Sequence, residues 1–226
     1  MTGINTVLCD LDGTIIDTTA LILASFHYAL AQRGEQSDDQ ALLAHFGRTL
    51  TESLQQLRPH WGQEEINQTI AHYLEHNERE HDAWVTIIPG ADAVLRTLHQ
   101  QGMRLGVVTS KREQMANRGL ELVGLGDLFG VLVHSSSAPR PKPDPAPVLL
   151  ALRQLASVPE QTVLVGDSPY DMTAARRAGC HAVGLVHNTF GAADLLRAGA
   201  ERVMTGWSEF LSVVDELSTR SDTVDR

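Results

Sequence analysis

Residues 6–14 read Thr-Val-Leu-Cys-Asp-Leu-Asp-Gly-Thr, an apolar run that ends in two aspartates and a glycine. Because the run is continuous and does not alternate with polar residues, it predicts a strand buried on both faces of a parallel sheet. Asp10 and Asp12 follow where this strand ends. Residues two apart on an extended segment point the same way, so both carboxylates can face one ligand. Gly13 allows the backbone to turn close to that ligand.

Further apolar runs predict the rest of the sheet. Runs of the same buried type occupy residues 105–108, 131–133 and 162–165, and weaker runs at 182–186 and 202–204 indicate edge strands. Between them, apolar residues repeat at helical spacing, as in residues 91–98 and 148–155. Strands that alternate with helices predict an α/β fold, a doubly wound parallel sheet with right-handed crossovers.

One segment interrupts this alternation. Residues 18–83 have helical patterns throughout and contain no strand candidate. We therefore expect a small α-helical cap domain, inserted into an α/β catalytic core of residues 1–17 and 84–217. Residues 218–226 are polar and are expected to form a frayed C-terminal tail.

The charge balance of the 226-residue chain excludes several partners. Lysine and arginine total 18 against 28 aspartate and glutamate, which gives a formal net charge of -10. No basic run is present to neutralise nucleic-acid phosphates or an anionic membrane surface, so we expect neither as a partner. The only two lysines, Lys111 and Lys142, both follow predicted strands.

Cysteine usage and hydropathy indicate a cytoplasmic protein. Cys9 and Cys180 lie far apart in apolar stretches, which does not support a disulfide framework. The first residues lack the apolar stretch of a secretory signal, and no apolar run approaches the roughly 18 residues that span a bilayer. The sequence leaves a monomer and a homodimer equally open.

Polar clusters follow four of the predicted strands, three of them directly and one after a loop. Thr109-Ser110-Lys111 follows the second strand, Lys142 lies between prolines after the third, and Asp167 and Asp171 follow the fourth. Ligands bind at the carboxyl ends of strands in an open parallel sheet, so these clusters and Asp10 should converge. Several carboxylates together need a compensating cation, and hard oxygen ligands select Mg²⁺. The sequence therefore predicts a magnesium site.

The other residues of these clusters suit phosphoryl transfer. Lys142 supplies a positive charge and Thr109 a hydroxyl donor for phosphoryl oxygens. Asp10, beside the metal, can attack phosphorus and form an aspartyl-phosphate. Asp12 can then protonate the leaving oxygen and later deprotonate water.

These residues resemble the four motifs of the haloacid dehalogenase superfamily of aspartate-nucleophile phosphatases. The motifs match Asp10-x-Asp12-Gly13-Thr14, Thr109-Ser110, Lys142 and Gly166-Asp167-Ser168-x-x-Asp171, in that order. The resemblance implies that Asp10 is the nucleophile and Asp12 the acid/base. It implies Mg²⁺ bound by Asp10, the backbone carbonyl of Asp12 and Asp167, with Asp171 in support. It also implies that Thr109 and the Ser110 backbone hold phosphate and that Lys142 neutralises it. We expect Gly13, Thr14, Ser110 and Lys111 to contact the substrate.

Details of the sequence narrow the branch of the superfamily. A dehalogenase would lack the acid/base at the position of Asp12, and a phosphonatase would carry a lysine in the cap, which has none here. The related sugar-phosphate mutases typically place Arg three residues after a cap Gly, whereas Arg48 here follows Gly47 directly. The cap therefore resembles the phosphoglycolate-phosphatase and pyrophosphatase branch. We expect Arg48 to meet the leaving group, with a solvated surface arginine as the alternative.

The sequence as a whole predicts a Mg²⁺-dependent phosphatase that hydrolyses a small phosphorylated metabolite, a phosphoglycolate-like phosphomonoester. An inorganic pyrophosphatase and a sugar-phosphate mutase remain as enzymatic alternatives. A receiver-type signalling module also uses an aspartate, Mg²⁺, Thr and Lys, but it is about half this length and lacks a cap. Ser168, Pro169 and Asp171 also suit the start of a helix, so Asp171 has a purely structural alternative.

Overall fold

The computed structural model describes residues 3–187 and 189–224, and within them a parallel sheet of six strands is flanked by helices. The strands in chain order are β1 (Thr6–Cys9), β2 (Ile16–Asp17), β3 (Thr86–Ile87), β4 (Arg104–Val108), β5 (Val131–Val133), β6 (Thr162–Gly166), β7 (His181–Leu185) and β8 (Arg202–Met204). The helices are α1 (Thr19–Ala31), α2 (Asp39–Leu43), α3 (Leu50–Leu57), α4 (Gln63–Trp84), α5 (Ala91–Gln100), α6 (Glu113–Leu122), α7 (Ala146–Gln154), α8 (Pro169–Ala178), α9 (Ala192–Ala198) and α10 (Phe210–Val224).

The strand order β5-β4-β1-β6-β7-β8 places β1 near the centre of the sheet. β1 pairs in parallel with both β4 and β6, with Cys9 opposite Val107 on one side and Val165 on the other. The chain adds strands first on one side of β1 and then on the other, which creates the switch point where α/β sheets bind ligands. The predicted doubly wound α/β fold is confirmed.

One strand has a different place from the one predicted. β7 was expected at an edge, but it pairs with β6 and with β8 and so lies inside the sheet. The edges of the sheet are β5 and β8. β7 is buried on both faces, because Ala182 packs into a cluster with α8 and α9, whereas Val183 and Leu185 pack into a cluster with α10 on the other face.

Successive residues of β1 face opposite sides of the sheet and enter two separate cores. Val7 and Cys9 pack into a cluster that includes residues of α5, α6 and α10. Leu8 packs into a second cluster with residues of α7, α8 and α9. Burial on both faces explains why the strand sequence is a continuous apolar run.

Helices α1 to α4, residues 19–84, form a segment that we call the helical insert. It has a buried apolar cluster of its own, which includes Phe26, Leu54 and Tyr73. A short antiparallel pair, β2 with β3, joins the two ends of the insert to the sheet domain, with Ile16 opposite Ile87. α4 ends at Trp84, one residue beyond the boundary predicted from the sequence.

Helix α10 extends into the segment that was expected to form a tail. α10 continues through residue 218 to Val224, and the Ser218 hydroxyl accepts a hydrogen bond from the Ile4 backbone N–H at 3.1 Å. Residues 225 and 226 of the predicted tail lie outside the described residues. Within the described ranges, the helices are all too short or too polar to cross a membrane.

Candidate active site

Three neighbouring strands deliver polar side chains to one edge of the sheet. Asp10 follows β1, Thr109 follows β4 and Asp167 follows β6, and each is the first residue after its strand. The backbone N–H of Asp10 still donates to the Val165 carbonyl at 2.9 Å, which fixes Asp10 against β6. The convergence that the sequence predicts therefore follows directly from strand order and register.

A cluster of three buried carboxylates lies at this edge. Oxygen atoms of Asp10, Asp167 and Asp171 come within 4.8 Å of one another. The Nζ atom of Lys142 donates to Oδ1 of Asp10 at 2.7 Å and to Oδ1 of Asp171 at 2.5 Å. A third bond, to the Val108 carbonyl at 2.9 Å, completes the ammonium group's three donors.

Burial sets the electrostatics of this cluster. It raises the pKa of Asp10 to about 7, against the opposing effect of Lys142. Burial, with the charges of Asp10 and Asp171, also raises the pKa of Asp167 well above its ordinary range. Burial alone would lower the pKa of Lys142, but Asp10 and Asp171 outweigh it and the net shift is upward. The lysine is therefore charged, and the carboxylates are short of positive charge.

The donor set fits a hard divalent cation. Three carboxylates face one lysine, and the side chain of Asp167 receives no hydrogen bond or ion pair from another residue in the described ranges. Carboxylate oxygens in this number are the ligands that Mg²⁺ takes in phosphate-binding sites. A bound cation would also oppose the upward pKa shifts of Asp10 and Asp167.

Asp171 combines two roles that the sequence left as alternatives. It is the third residue of α8, and Ser168 and Asp171 form a reciprocal capping box at the start of that helix. One carboxylate oxygen accepts from the Ser168 hydroxyl and backbone, while the other accepts from Lys142. The helix cap thus also holds the active-site lysine.

Gly13 is required where the first motif turns. Its φ of 80° is a left-handed conformation, and a Cβ atom there would overlap the Asp167 carboxylate. Thr14, which was predicted to contact substrate, does not line the cavity at this edge. Its side chain is fully buried, and its carbonyl accepts a hydrogen bond from the Trp207 indole at 2.8 Å. The side chain of Thr14 lies in the core, so the structure does not place it at the cavity, and its predicted substrate contact stays a prediction.

Asp12 stands apart from the carboxylate cluster. Its Oδ1 atom accepts hydrogen bonds from Lys111 Nζ and from the Thr18 hydroxyl, each at 2.7 Å. Both bonds go to the same oxygen, and Oδ2 receives none from the described residues. The side chain of Asp12 is therefore held in place with one oxygen left for chemistry. The predicted metal contact through its backbone carbonyl stays a prediction.

The helical insert touches the core beside these residues. The Ser110 hydroxyl donates to the Gly47 carbonyl at 3.0 Å. Gly47, with a φ of 83°, lies so close to the core that a Cβ atom would come within 2.9 Å of Ser168 Oγ and of the Tyr170 ring. The guanidinium of Arg48 lies 4.7 Å over the centre of that ring, and its Nε has no hydrogen-bond partner among the described residues.

Core and insert together enclose a cavity of about 540 Å³, which we call the active-site cavity. Of the predicted site residues, those that line it are Asp10, Asp12, Gly13, Arg48, Thr109, Ser110, Lys111 and Asp167. Lys142 and Asp171 do not line it, but Lys142 donates to Asp10 and to Asp171. The predicted sites therefore come together, with Thr14 as the exception.

Several contacts at the site were not predicted from the sequence. Lys111 was predicted to contact the substrate, but not to hold Asp12 together with Thr18. Tyr170, one of the unspecified positions in its motif, proves to be the platform for Arg48. A glycine in a loop permits close approach of the backbone to another element, so the sequence did offer a signal at Gly47. Spacing along the chain could not show that the residues approached are Ser168 and Tyr170.

This fold and this site are typical of hydrolases of phosphate esters that are built on a parallel sheet with flanking helices. The chain belongs to the haloacid dehalogenase-like hydrolase family, whose model matches residues 7–185. Membership confirms the resemblance carried by the four motifs, and together with relatives named as pyrophosphatases it supports a phosphatase rather than a signalling module.

Individual relatives agree with this assignment. The chain is 36% identical to a protein of Halalkalibacterium halodurans named pyrophosphatase PpaX, over 78% of this chain and 80% of that one. The structure of a hydrolase from Pseudomonas syringae superposes with a TM-score of 0.87 at 25% identity, covering 95% and 99% of the two chains. A structure from Haemophilus somnus described as a predicted phosphoglycolate phosphatase shares the fold, with a TM-score of 0.82 at 22% identity over 93% and 97%.

Proposed function

We propose that this phosphatase is a Mg²⁺-dependent phosphomonoesterase that works through an aspartyl-phosphate on Asp10. The observation that carries the proposal is the pairing of two differently held carboxylates at one cavity. Asp10 is buried against Lys142, and Asp12 is held through one oxygen by Lys111 and Thr18. Two carboxylates in distinct environments are suited to two distinct chemical roles.

In the first step, an oxygen of Asp10 attacks phosphorus. The bond between Asp10 and phosphorus forms while the bond from phosphorus to the leaving oxygen breaks, and Oδ2 of Asp12 gives that oxygen a proton. Thr109 and Ser110 line the cavity beside Asp10 and can hold phosphoryl oxygens. Lys142 balances the charge on the Asp10 carboxylate before the attack.

In the second step, water attacks the same phosphorus. Asp12, now ionised, takes the proton from water, and the bond between phosphorus and Asp10 breaks to release phosphate. Both residues return to their starting states, so the cycle consumes only the ester and one water. Lys111 and Thr18 keep Asp12 in position for both proton transfers.

Asp10 and Asp167 would hold the Mg²⁺ ion, with the Asp12 carbonyl as a further ligand and Asp171 in support. When bound, the ion supplies charge stabilisation for phosphoryl oxygens and offsets repulsion between the carboxylates and the phosphate. The two buried, unpaired cysteines suit a reducing compartment, so we place the reaction in the cytoplasm.

We propose a phosphoglycolate-like monoester as the first substrate to examine. Pyrophosphate is the second candidate, because the relative from Halalkalibacterium halodurans is named as a pyrophosphatase. A mutase is disfavoured by the direct succession of Gly47 and Arg48.

The test is phosphate release from phosphoglycolate, pyrophosphate, sugar phosphates and nucleotides, with Mg²⁺ or with a chelator. We expect monoester hydrolysis with Mg²⁺ alone, with no bisphosphate activator, and none in the chelator or in Asp10→Asn. A requirement for a bisphosphate would indicate a mutase. Hydrolysis that persists unchanged in Asp10→Asn would contradict the mechanism.

A further inference from the structure

The active-site cavity has two chemically different ends. The core contributes carboxylates, hydroxyls, Lys111 and Arg112 to the end beside Asp10. The opposite end is built by the helical insert, and its wall includes apolar side chains of α1, the α2–α3 loop, α3 and α4. These are Ile22, Phe26, Phe46, Leu50, Ile70 and Leu74.

The apolar wall is incompletely covered. Ile22, Ile70 and Leu74 pack against the insert's apolar cluster, yet each stays only partly buried and lines the cavity. A ligand that removes apolar surface of this kind from water binds more favourably. A leaving group with a carbon skeleton would supply that cover, whereas a phosphoryl group would not.

Charge at the insert end also argues against a second phosphate. The charged residues that the insert contributes to the lining, within the described residues, are Arg48 and Glu52, which have opposite signs. Glu52 accepts hydrogen bonds from the backbone N–H and the hydroxyl of Thr49. Binding a leaving phosphate here would need net positive charge, and the insert does not provide it.

The volume points the same way. A cavity of about 540 Å³ lies within the range of roughly 300–1,000 Å³ that accommodates sizeable organic ligands. Inorganic pyrophosphate has no apolar group that could cover the apolar side chains of the insert.

We infer that the preferred substrates are phosphate monoesters of organic alcohols whose apolar carbon skeleton fills the insert end, and that pyrophosphate is a poor substrate. The inference rests on the proposed function for the phosphate end and adds the class of leaving group. Arg48, on its Tyr170 platform, would contact a polar or anionic group at the boundary between the two ends.

A series of n-alkyl phosphates from methyl to hexyl tests this inference, because their alcohols have similar acidity and the bond broken is the same. We expect kcat/KM to rise about three- to four-fold per added methylene, the factor that burial of a CH₂ group gives. Ile70→Ser should flatten this dependence. Leu23→Ser is the matched control, since Leu23 packs on the same cluster but does not line the cavity, and it should keep the slope.

A second experiment separates this inference from the proposed function. It measures the binding of the corresponding n-alkylphosphonates by calorimetry, with Mg²⁺ present. Affinity that rises with chain length supports the apolar end whether or not any ester is hydrolysed. Absence of hydrolysis with every ester would overturn the proposed function alone. A flat or falling dependence on chain length, in turnover or in binding, or a kcat/KM for pyrophosphate above that for hexyl phosphate, would overturn the inference.

Discussion

The Nζ atom of Lys142 lies 2.7 Å from Oδ1 of Asp10, although 132 positions separate the two residues in the chain. The same ammonium group also contacts Asp171, so one buried cation serves two of the three clustered carboxylates. Lys142 thereby connects the loop after β5 to the C-terminal end of β1 and to the first turn of α8. Stability and activity should depend on it together.

Replacement of Lys142 by Met should lower the free energy of unfolding by about 3–5 kcal/mol near neutral pH, because it leaves buried carboxylates without a counterion. The loss should shrink in acid, where those carboxylates can be protonated and need no counterion. Urea unfolding at mildly alkaline and acidic pH measures both effects. Lys111→Met is the control, since its partly exposed pair with Asp12 should cost about 1 kcal/mol or less. Equal losses in the two variants would contradict the role assigned to Lys142.

Asp12→Asn should lower kcat by about 10²–10⁴-fold, the usual contribution of a positioned acid/base. The phenolate of an aryl phosphate leaves without a proton. With this substrate Asp12 is not needed to protonate the leaving oxygen, but it is still needed to deprotonate water. We therefore expect a burst of about one phenolate per active site, followed by slow turnover, in rapid-mixing measurements. A linear trace with no burst would mean that Asp12 is not needed to activate water.

Tyr170→Leu should raise KM by about two- to five-fold with a smaller change in kcat, because a cation–π contact contributes about 0.5–1 kcal/mol. Tyr170→Phe keeps the ring and should behave like the original protein. Steady-state kinetics on a monoester with a charged leaving group compares the two variants. If Phe and Leu have the same effect, the ring does not position Arg48.

The pair formed by His181 and Glu201 at the start of β7 and β8 gives a pH-dependent contribution to stability. Their hydrogen bond raises the pKa of His181 above 6.5 and lowers the pKa of Glu201 below 4.5. The histidine contribution is present below its unfolded pKa and is lost as pH rises, and the glutamate contribution is lost as pH falls. The pair therefore stabilises most between about pH 4.5 and 6.5.

His181→Gln should lower Tm by about 1–2 °C within that window, since partly exposed pairs contribute about 0.5 kcal/mol in a chain of this size. Well above the window, the difference between the two proteins should vanish. Thermal unfolding across the pH range, with Glu201→Gln as the second arm, measures this. A difference that is constant with pH would mean that the pair does not carry the effect.

Much of the fold follows from local pattern. The strand at residues 6–9 was located from the sequence because burial on both faces demands a continuous apolar run. β2 and β3 were missed because two residues each carry no periodicity, and they form only because the ends of the insert meet. β7 was assigned to an edge because its run is weak, and pairing with β8 could not be read from it.

The candidate site divides in the same way. Asp10, Asp167 and Lys142 were predictable because strand ends in a parallel sheet converge. The contacts of Lys111 with Asp12 and of Arg48 with Tyr170 depend on how loops and the insert approach, which no spacing encodes. Spacing could not show that the side chain of Thr14 lies in the core and not at the cavity.

The central claim is that Asp10 carries the phosphoryl group during turnover. Acid quench in the steady state, followed by borohydride reduction, converts a phosphorylated aspartate to homoserine, which peptide mass spectrometry locates. With an aryl phosphate as substrate, we expect homoserine at Asp10, with more of it in Asp12→Asn because that variant forms the intermediate but is slow to hydrolyse it. Phosphate release with unmodified Asp10, or homoserine at another aspartate, would contradict the account.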